Sequence, residues 1–298
     1  MACYAPIRAF RTPNGVVFNE LARHDILGRI DIACGQCIGC RMRRASDWEL
    51  RVMHEAAGFE QNCFVTLTYA PGSLPANASL EHRDYQLFMK RLRKYVRRPV
   101  RFYMCGEYGD LNKRPHFHAC LFNVDFREDR VPAGKSGSGF LLYQSPTLDK
   151  LWGLGKASVQ DLTRETASYC ARYIMKKVLG PDSEKAYESV DSDGVITVRR
   201  PEYSAMSLKP GIGFSWFDRY SRDCFPHDFV IQGGAKRQVP KYYDKLLKRS
   251  KPLTLEQIQF ERELRARESF EDCTPERLAV REQVHKARVS TLKRSLES

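Results

Sequence analysis

Between Cys63 and Tyr69 the chain reads Cys-Phe-Val-Thr-Leu-Thr-Tyr, β-branched and aromatic with alternating character, and Pro71-Gly72 stops the run. That pattern predicts a strand. Upstream, Trp48, Val52, Ala56 and Phe59 recur at helical spacing, which predicts a helix from about Arg43 to Gly58. Downstream, Tyr85, Phe88, Leu92 and Tyr95 form a second helical stripe, with Asp84 placed to cap a helix running through Arg98. Val100–Glu107 and Pro115–Phe122 read as two strands joined by the turn Gly109-Asp110-Leu111-Asn112. Gly134 to Gly139 reads as a flexible loop of small residues. A short helix around Thr147–Trp152 follows, then a strand, Ala157–Leu162, and a helix from Arg164 to Leu179 that Gly180-Pro181 ends.

The flanks are less patterned. Residues 1–42 read as a loop-rich lead-in. Beyond Gly180, Ser189–Gly194 is turn-like, Gly211–Asp228 is aromatic and mixed, and Lys236–Lys251 is basic. Residues 253–298 read as one or two charged, largely solvated helices broken near Pro275. The expected class is α+β, a central antiparallel sheet with flanking helices plus a helical C-terminal extension.

Composition narrows the partners. The 298 residues carry a net charge of +13, with 42% hydrophobic and 29% charged residues, values ordinary for a soluble globular chain apart from the charge. From Lys251 onward ten basic and nine acidic residues nearly cancel, so the excess lies before that point. A positive field of this size suits a polyanion, nucleic acid first among them. The helix after Asp84 has a face of Lys90, Arg91, Arg93, Lys94, Arg97 and Arg98 without acidic residues, fitted to phosphates. No segment approaches the roughly 20 apolar residues of a membrane span, and Met1–Arg11 lacks the apolar core of a secretion signal. The ten cysteines are therefore expected to be reduced thiols in a cytosolic protein.

Three constellations carry chemistry. In Arg114-Pro115-His116-Phe117-His118-Ala119 the histidines are two apart in a strand, so both face one side. Glu107, at the end of the preceding strand, comes opposite them in an antiparallel hairpin. Two imidazoles and a carboxylate can hold a metal with positions left open, although a His-x-His pair can also be two half-buried sheet residues. In the helix after Arg164, Tyr169 and Tyr173 are one turn apart, with Lys176 on the same face and Lys177 beside it. A phenol near an ammonium can serve as a nucleophile, while the same spacing also suits a core helix with a solvated end. Cys34, Cys37 and Cys40 repeat every three residues and can hold structural Zn²⁺ if Cys3 or His24 supplies a fourth ligand. An iron–sulfur cluster or unliganded thiols are the other readings.

A strand with Thr-Leu-Thr, a strand with His-hydrophobic-His and a helix with Tyr-x3-Tyr-x2-Lys-Lys, in that order, resemble the three motifs of HUH endonucleases. More narrowly the chain resembles the replication initiators of microviruses, the single-stranded DNA phages of gokushovirus type. Cys34-Gly35-Gln36-Cys37-Ile38-Gly39-Cys40-Arg41 and Cys105-Gly106-Glu107-Tyr108-Gly109 add to that likeness.

The resemblance implies a nicking and joining enzyme of rolling-circle replication. His116 and His118 would bind Mg²⁺ or Mn²⁺, with Glu107 as third ligand, and Tyr169 and Tyr173 would be paired nucleophiles assisted by Lys176 or Lys177. It implies single-stranded and origin DNA as substrate, host helicase and polymerase as partners, and the host bacterial cytoplasm as the site of action. It divides the chain into a cysteine-containing lead-in (1–42), a nicking domain (43–180), an accessory region (181–252) and a charged helical tail (253–298). A non-catalytic single-strand binder explains the charge but not the histidines and tyrosines together. A one-tyrosine transposase or relaxase of the same fold leaves the second tyrosine unexplained.

Overall fold

The computed structural model describes residues 3–20, 25–109, 112–137, 139–172, 183–190 and 194–291. Three short strands open the chain, β1 (Ile7–Thr12), β2 (Gly15–Val17) and β3 (Gly28–Ile32), followed by α1 (Ile38–Ala56). The central stretch holds β4 (Asn62–Thr68), α2 (His82–Val96), β5 (Arg101–Tyr108), β6 (Pro115–Phe122), β7 (Val131–Lys135) and β8 (Leu141–Gln144). After these come α3 (Pro146–Trp152), β9 (Ala157–Asp161), α4 (Arg164–Arg172) and α5 (Ser183–Tyr187). The remaining strands are β10 (Glu188–Val190), β11 (Ile196–Val198), β12 (Tyr203–Met206), β13 (Phe229–Gln232) and β14 (Ala235–Gln238). The helix α6 (Phe214–Tyr220) precedes β13, and α7 (Lys241–Ser250), α8 (Pro252–Glu268) and α9 (Pro275–Ser290) follow β14.

The fold class is α+β, built on a seven-stranded antiparallel sheet in the order β12-β5-β6-β4-β9-β8-β7. Central β6 is buried at every position, so its alternation of side chains feeds two cores. Phe117, Ala119 and Leu121 face Tyr85, Phe88, Met89 and Leu92 of α2 and Trp152 of α3. Cys120 and Phe122 face the other way, toward Ala45 and Val52 of α1 and Ala167, Cys170 and Ala171 of α4. Two glycines allow close approach. A Cβ on Gly106 would sit 3.0 Å from Leu80 and 3.1 Å from the Phe117 ring. One on Gly155, at φ +156°, would lie 2.2 Å from the Thr68 carbonyl oxygen.

The described residues fall into two compact units, one spanning Ala45–Lys245 and holding the large sheet, the other combining Met1–Arg44 with Leu246–Leu292. In the second, β2-β1-β3 form an antiparallel sheet. Arg11 pairs with Glu263 of α8 at 2.8 Å, and the Tyr4 hydroxyl lies 2.9 Å from Nδ1 of His285 on α9. Proline opens both α8 and α9 at a first-turn position that needs no backbone N–H.

Several local expectations are corrected. The lead-in is not loop-rich, because β1 to β3 pair and α1 begins at Ile38, which puts Cys40 in its first turn. Those strands are three to six residues long and carry charge, too short for periodicity to register. The α2 N-cap is Glu81, accepting from the Arg83 N–H, whereas Asp84 accepts from the Tyr69 hydroxyl at 2.7 Å. The same helix stops at Val96, where Arg97 turns left-handed, and Tyr95 is exposed rather than part of its apolar face. Gly134 lies in β7, at a bulge against β8, and Glu188–Val190 pairs with Ile196–Val198 as a hairpin. Past Gly180, β12 completes one edge of the large sheet.

Candidate active site

The site grows from strand register. In the β5–β6 pairing Glu107 stands opposite His116 and Cys105 opposite His118. In the β4–β6 pairing Thr68 stands opposite His116 and Thr66 opposite His118. All of these side chains share the face that α4 covers. The donor atoms of Glu107, His116 and His118 lie within 4.8 Å of one another, and Glu107 Oε1 is 2.8 Å from Nε2 of each histidine. All three residues are buried, Glu107 completely. Burial alone would raise the Glu107 pKa, but hydrogen bonds from both imidazoles, and their charge, hold it below the ordinary value.

Whether this trio suits a metal can be judged from His116. Its Nδ1 lies 3.1 Å from the Arg114 carbonyl oxygen and its Nε2 faces the carboxylate. Two acceptors flank one ring, so an Nδ1–H donated to the carbonyl leaves an Nε2 lone pair aimed at a carboxylate. A cation between them, proton or metal, removes that repulsion. For His118 the other ring nitrogen is held by Thr66 Oγ1 at 2.9 Å. Each ligand ring is thus oriented from behind, as metal-binding histidines usually are. The residues fit a hard or borderline divalent ion such as Mg²⁺ or Mn²⁺.

Tyr169 comes to the same place. Its ring meets His118 edge-on with centroids 5.2 Å apart and meets Phe64 at 6.1 Å. Next to it, Cys170 anchors α4 against the sheet, with its Sγ 3.5 Å from that of Cys105. Tyr173, Lys176 and Lys177 lie outside the described residues.

Sequence reasoning missed Thr66 as a support for His118, and Arg114 as the turn residue whose carbonyl holds His116. Thr66 stands inside the Thr-Leu-Thr run, but nothing in the run names its partner strand.

The comparisons with known proteins bear on this stretch. The profile of a family described as replication-associated protein ORF2 matches residues 62–178. Replication-associated protein VP4 of Bdellovibrio phage phiMH2K is 31% identical over 264 residues, covering 85% of this chain and 79% of its own length. Replication-associated protein ORF2 of Spiroplasma virus 4 is 31% identical over 273 residues, covering 84% and 81%. The chain belongs to the microvirus-type phage replication-associated proteins. Replication-associated protein ORF4 of Chlamydia phage 1 is also similar, at 28% over 226 residues, 73% of this chain and 54% of that one. No solved structure matches.

In this family member the basic stripe and the histidine site are not brought together. Lys90, Arg91, Arg93, Lys94, Arg97 and Arg98 are all exposed, but α2 packs on the sheet face opposite Glu107, His116 and His118. Arg91 donates to the Leu151 and Trp152 carbonyls at 2.6 and 2.8 Å, and Arg93 donates to the Val100 carbonyl at 3.1 and 3.2 Å. Arg98 donates to Gln61. Elsewhere, Cys3, Cys34, Cys37 and Cys40 converge, their sulfurs within 4.8 Å of one another. His24, the other candidate for that cluster, lies outside the described residues. Among the described residues no helix is long and apolar enough to cross a membrane.

Proposed function

We propose that the chain initiates rolling-circle replication by nicking one strand of origin DNA through tyrosine attack and later rejoining it. The observation that carries this reading is the convergence of Glu107, His116 and His118 with the Tyr169 ring set edge-on against His118. Glu107, His116 and His118 would hold Mg²⁺ or Mn²⁺, and such an ion supplies Lewis-acid polarisation of the scissile phosphate. The phenol oxygen of Tyr169 or Tyr173 forms a bond to phosphorus while the P–O3′ bond breaks. The phenolic proton leaves, the 3′ oxygen takes one up, and the 5′ phosphate stays on the tyrosine.

Lys176 or Lys177 stabilises the phenolate and the charge on the phosphoryl oxygens. The freed 3′-hydroxyl primes a host polymerase behind a host helicase, in the cytoplasm of the bacterial host. The second tyrosine cuts the regenerated origin, and the 3′-hydroxyl then displaces the first tyrosine to close the circle. Each step exchanges one phosphoester for another, so cleavage and joining need no ATP. Because Glu107, His116, His118 and Tyr169 are nearly withdrawn from water, admitting a phosphodiester requires local opening.

A nicking assay on circular single-stranded DNA carrying the phage origin, with Mn²⁺ or Mg²⁺, tests this. The parent should open the circle, and the His116→Ala/His118→Ala variant or excess chelator should stop it. Undiminished cleavage in either case removes the metal from the mechanism. Tight binding without cleavage under any metal or salt condition makes the chain a single-strand binder.

A further inference from the structure

The cysteine cluster lies in the unit without the large sheet, and nothing in the nicking chemistry uses it. Cys3 is fully buried, and Cys34, Cys37 and Cys40 are half-buried. Their spacing is informative. One ion holding four thiolates at about 2.3 Å in a tetrahedron sets its sulfurs about 3.8 Å apart. The Cys3 and Cys37 sulfurs are 3.9 Å apart, and all four lie within 4.8 Å of each other. A disulfide would need about 2.05 Å. A cluster of several irons would spread its thiolates wider than a single ion does.

The backbone around the sulfurs is arranged for negative charge. Cys3 Sγ accepts from the Cys34 N–H at 3.3 Å, and Cys37 Sγ accepts from the Tyr4 N–H at 3.3 Å. Cys34 Sγ accepts from the N–H groups of Gln36 and Cys37, at 3.4 and 3.3 Å. Gly35, at φ +76°, makes that turn possible. Cys37 directly precedes α1 and Cys40 lies in its first turn, where the helix end favours thiolates. The Arg44 guanidinium stands beside Gly35, 3.8 Å from where its Cβ would be. Four thiolates and one divalent ion leave a net charge of −2, which this arginine helps to offset.

We propose that Cys3, Cys34, Cys37 and Cys40 bind one structural Zn²⁺, with Cys3, rather than His24, as the fourth ligand. The ion would tie the chain just before β1 to the segment between β3 and α1, clamping the small sheet at its open end. All four positions are then filled by protein, so the site is structural and not catalytic.

The full chain, purified under reducing conditions, should retain one zinc per molecule by elemental analysis. It should keep that zinc in a Glu107→Ala/His116→Ala/His118→Ala background, which separates this site from the histidine site. Replacing zinc with Co²⁺ should give the intense visible bands and thiolate-to-cobalt charge transfer of a tetrahedral four-sulfur site. Cys3→Ser should shift those bands and weaken cobalt binding at least tenfold, while His24→Ala leaves both unchanged. Substoichiometric metal in the parent, iron in place of zinc, paired disulfides by thiol titration, or a His24→Ala effect with Cys3→Ser silent would each overturn the assignment. The parent's stoichiometry and spectrum decide the matter even if Cys3→Ser fails to fold.

Discussion

Thr66 and His118 face each other across β4 and β6, and their contact is the smallest unit on which the site depends. The threonine hydroxyl settles which His118 nitrogen is free for a metal. Thr66→Val keeps the shape but removes that partner, so Mn²⁺ affinity should fall by about 10–100-fold, and Thr66→Ser should recover most of it. Equal Mn²⁺ titrations for parent and Thr66→Val would show the contact to be incidental. A second histidine speaks to stability rather than chemistry. His54 stacks on Trp216 at 3.5 Å, lies 2.8 Å from the Tyr243 hydroxyl, and burial lowers its pKa from 6.5 to about 3. Below pH 6.5 the unfolded chain takes up a proton that the folded chain refuses, so this contribution to stability is whole above 6.5 and is lost as pH falls toward 3. The slope is at most about 1.4 kcal/mol per pH unit. Denaturant melts between about pH 4 and 6 should show a shallower acid dependence in His54→Gln than in the parent. An identical slope would mean that His54 is protonated when folded.

Elements are legible in the sequence where they are long and one-sided. The hairpin of β5 and β6 is readable because alternation and a short turn suffice to define it, and Glu107 opposite His116 follows from it. Two features cannot be read that way. The first is the edge strand β12, four residues whose partner, β5, is almost a hundred positions upstream. The second is which sheet face each helix covers, which depends on packing that local periodicity does not encode. That second point changes the expectation for α2. Arg91 caps the last carbonyls of α3, so Arg91→Ala should cost about 1–2 kcal/mol in stability by thermal or denaturant melts. Lys90 and Lys94 extend from the same helix as exposed charges. Replacing both with glutamine should reduce the salt slope of single-stranded DNA binding by about one to two units without altering sequence preference. An unchanged slope would mean that DNA does not touch this side of the sheet.

For the whole molecule, the net charge of +13 and the family membership agree on nucleic acid as the partner. They do not distinguish holding a strand from cutting one, because charge draws in phosphates whichever happens next. The distinction rests on a covalent bond that a binder never forms. Origin-containing single-stranded DNA, incubated with the full chain and Mn²⁺ and then denatured, should leave a protein–DNA adduct through a 5′ phosphate. Peptide mapping should place it on Tyr169 or Tyr173, with a free 3′-hydroxyl on the released strand. Tyr169→Phe/Tyr173→Phe should bind the same DNA as tightly and form no adduct. An adduct of undiminished yield in the double variant, or one mapped to any other residue, would contradict the account.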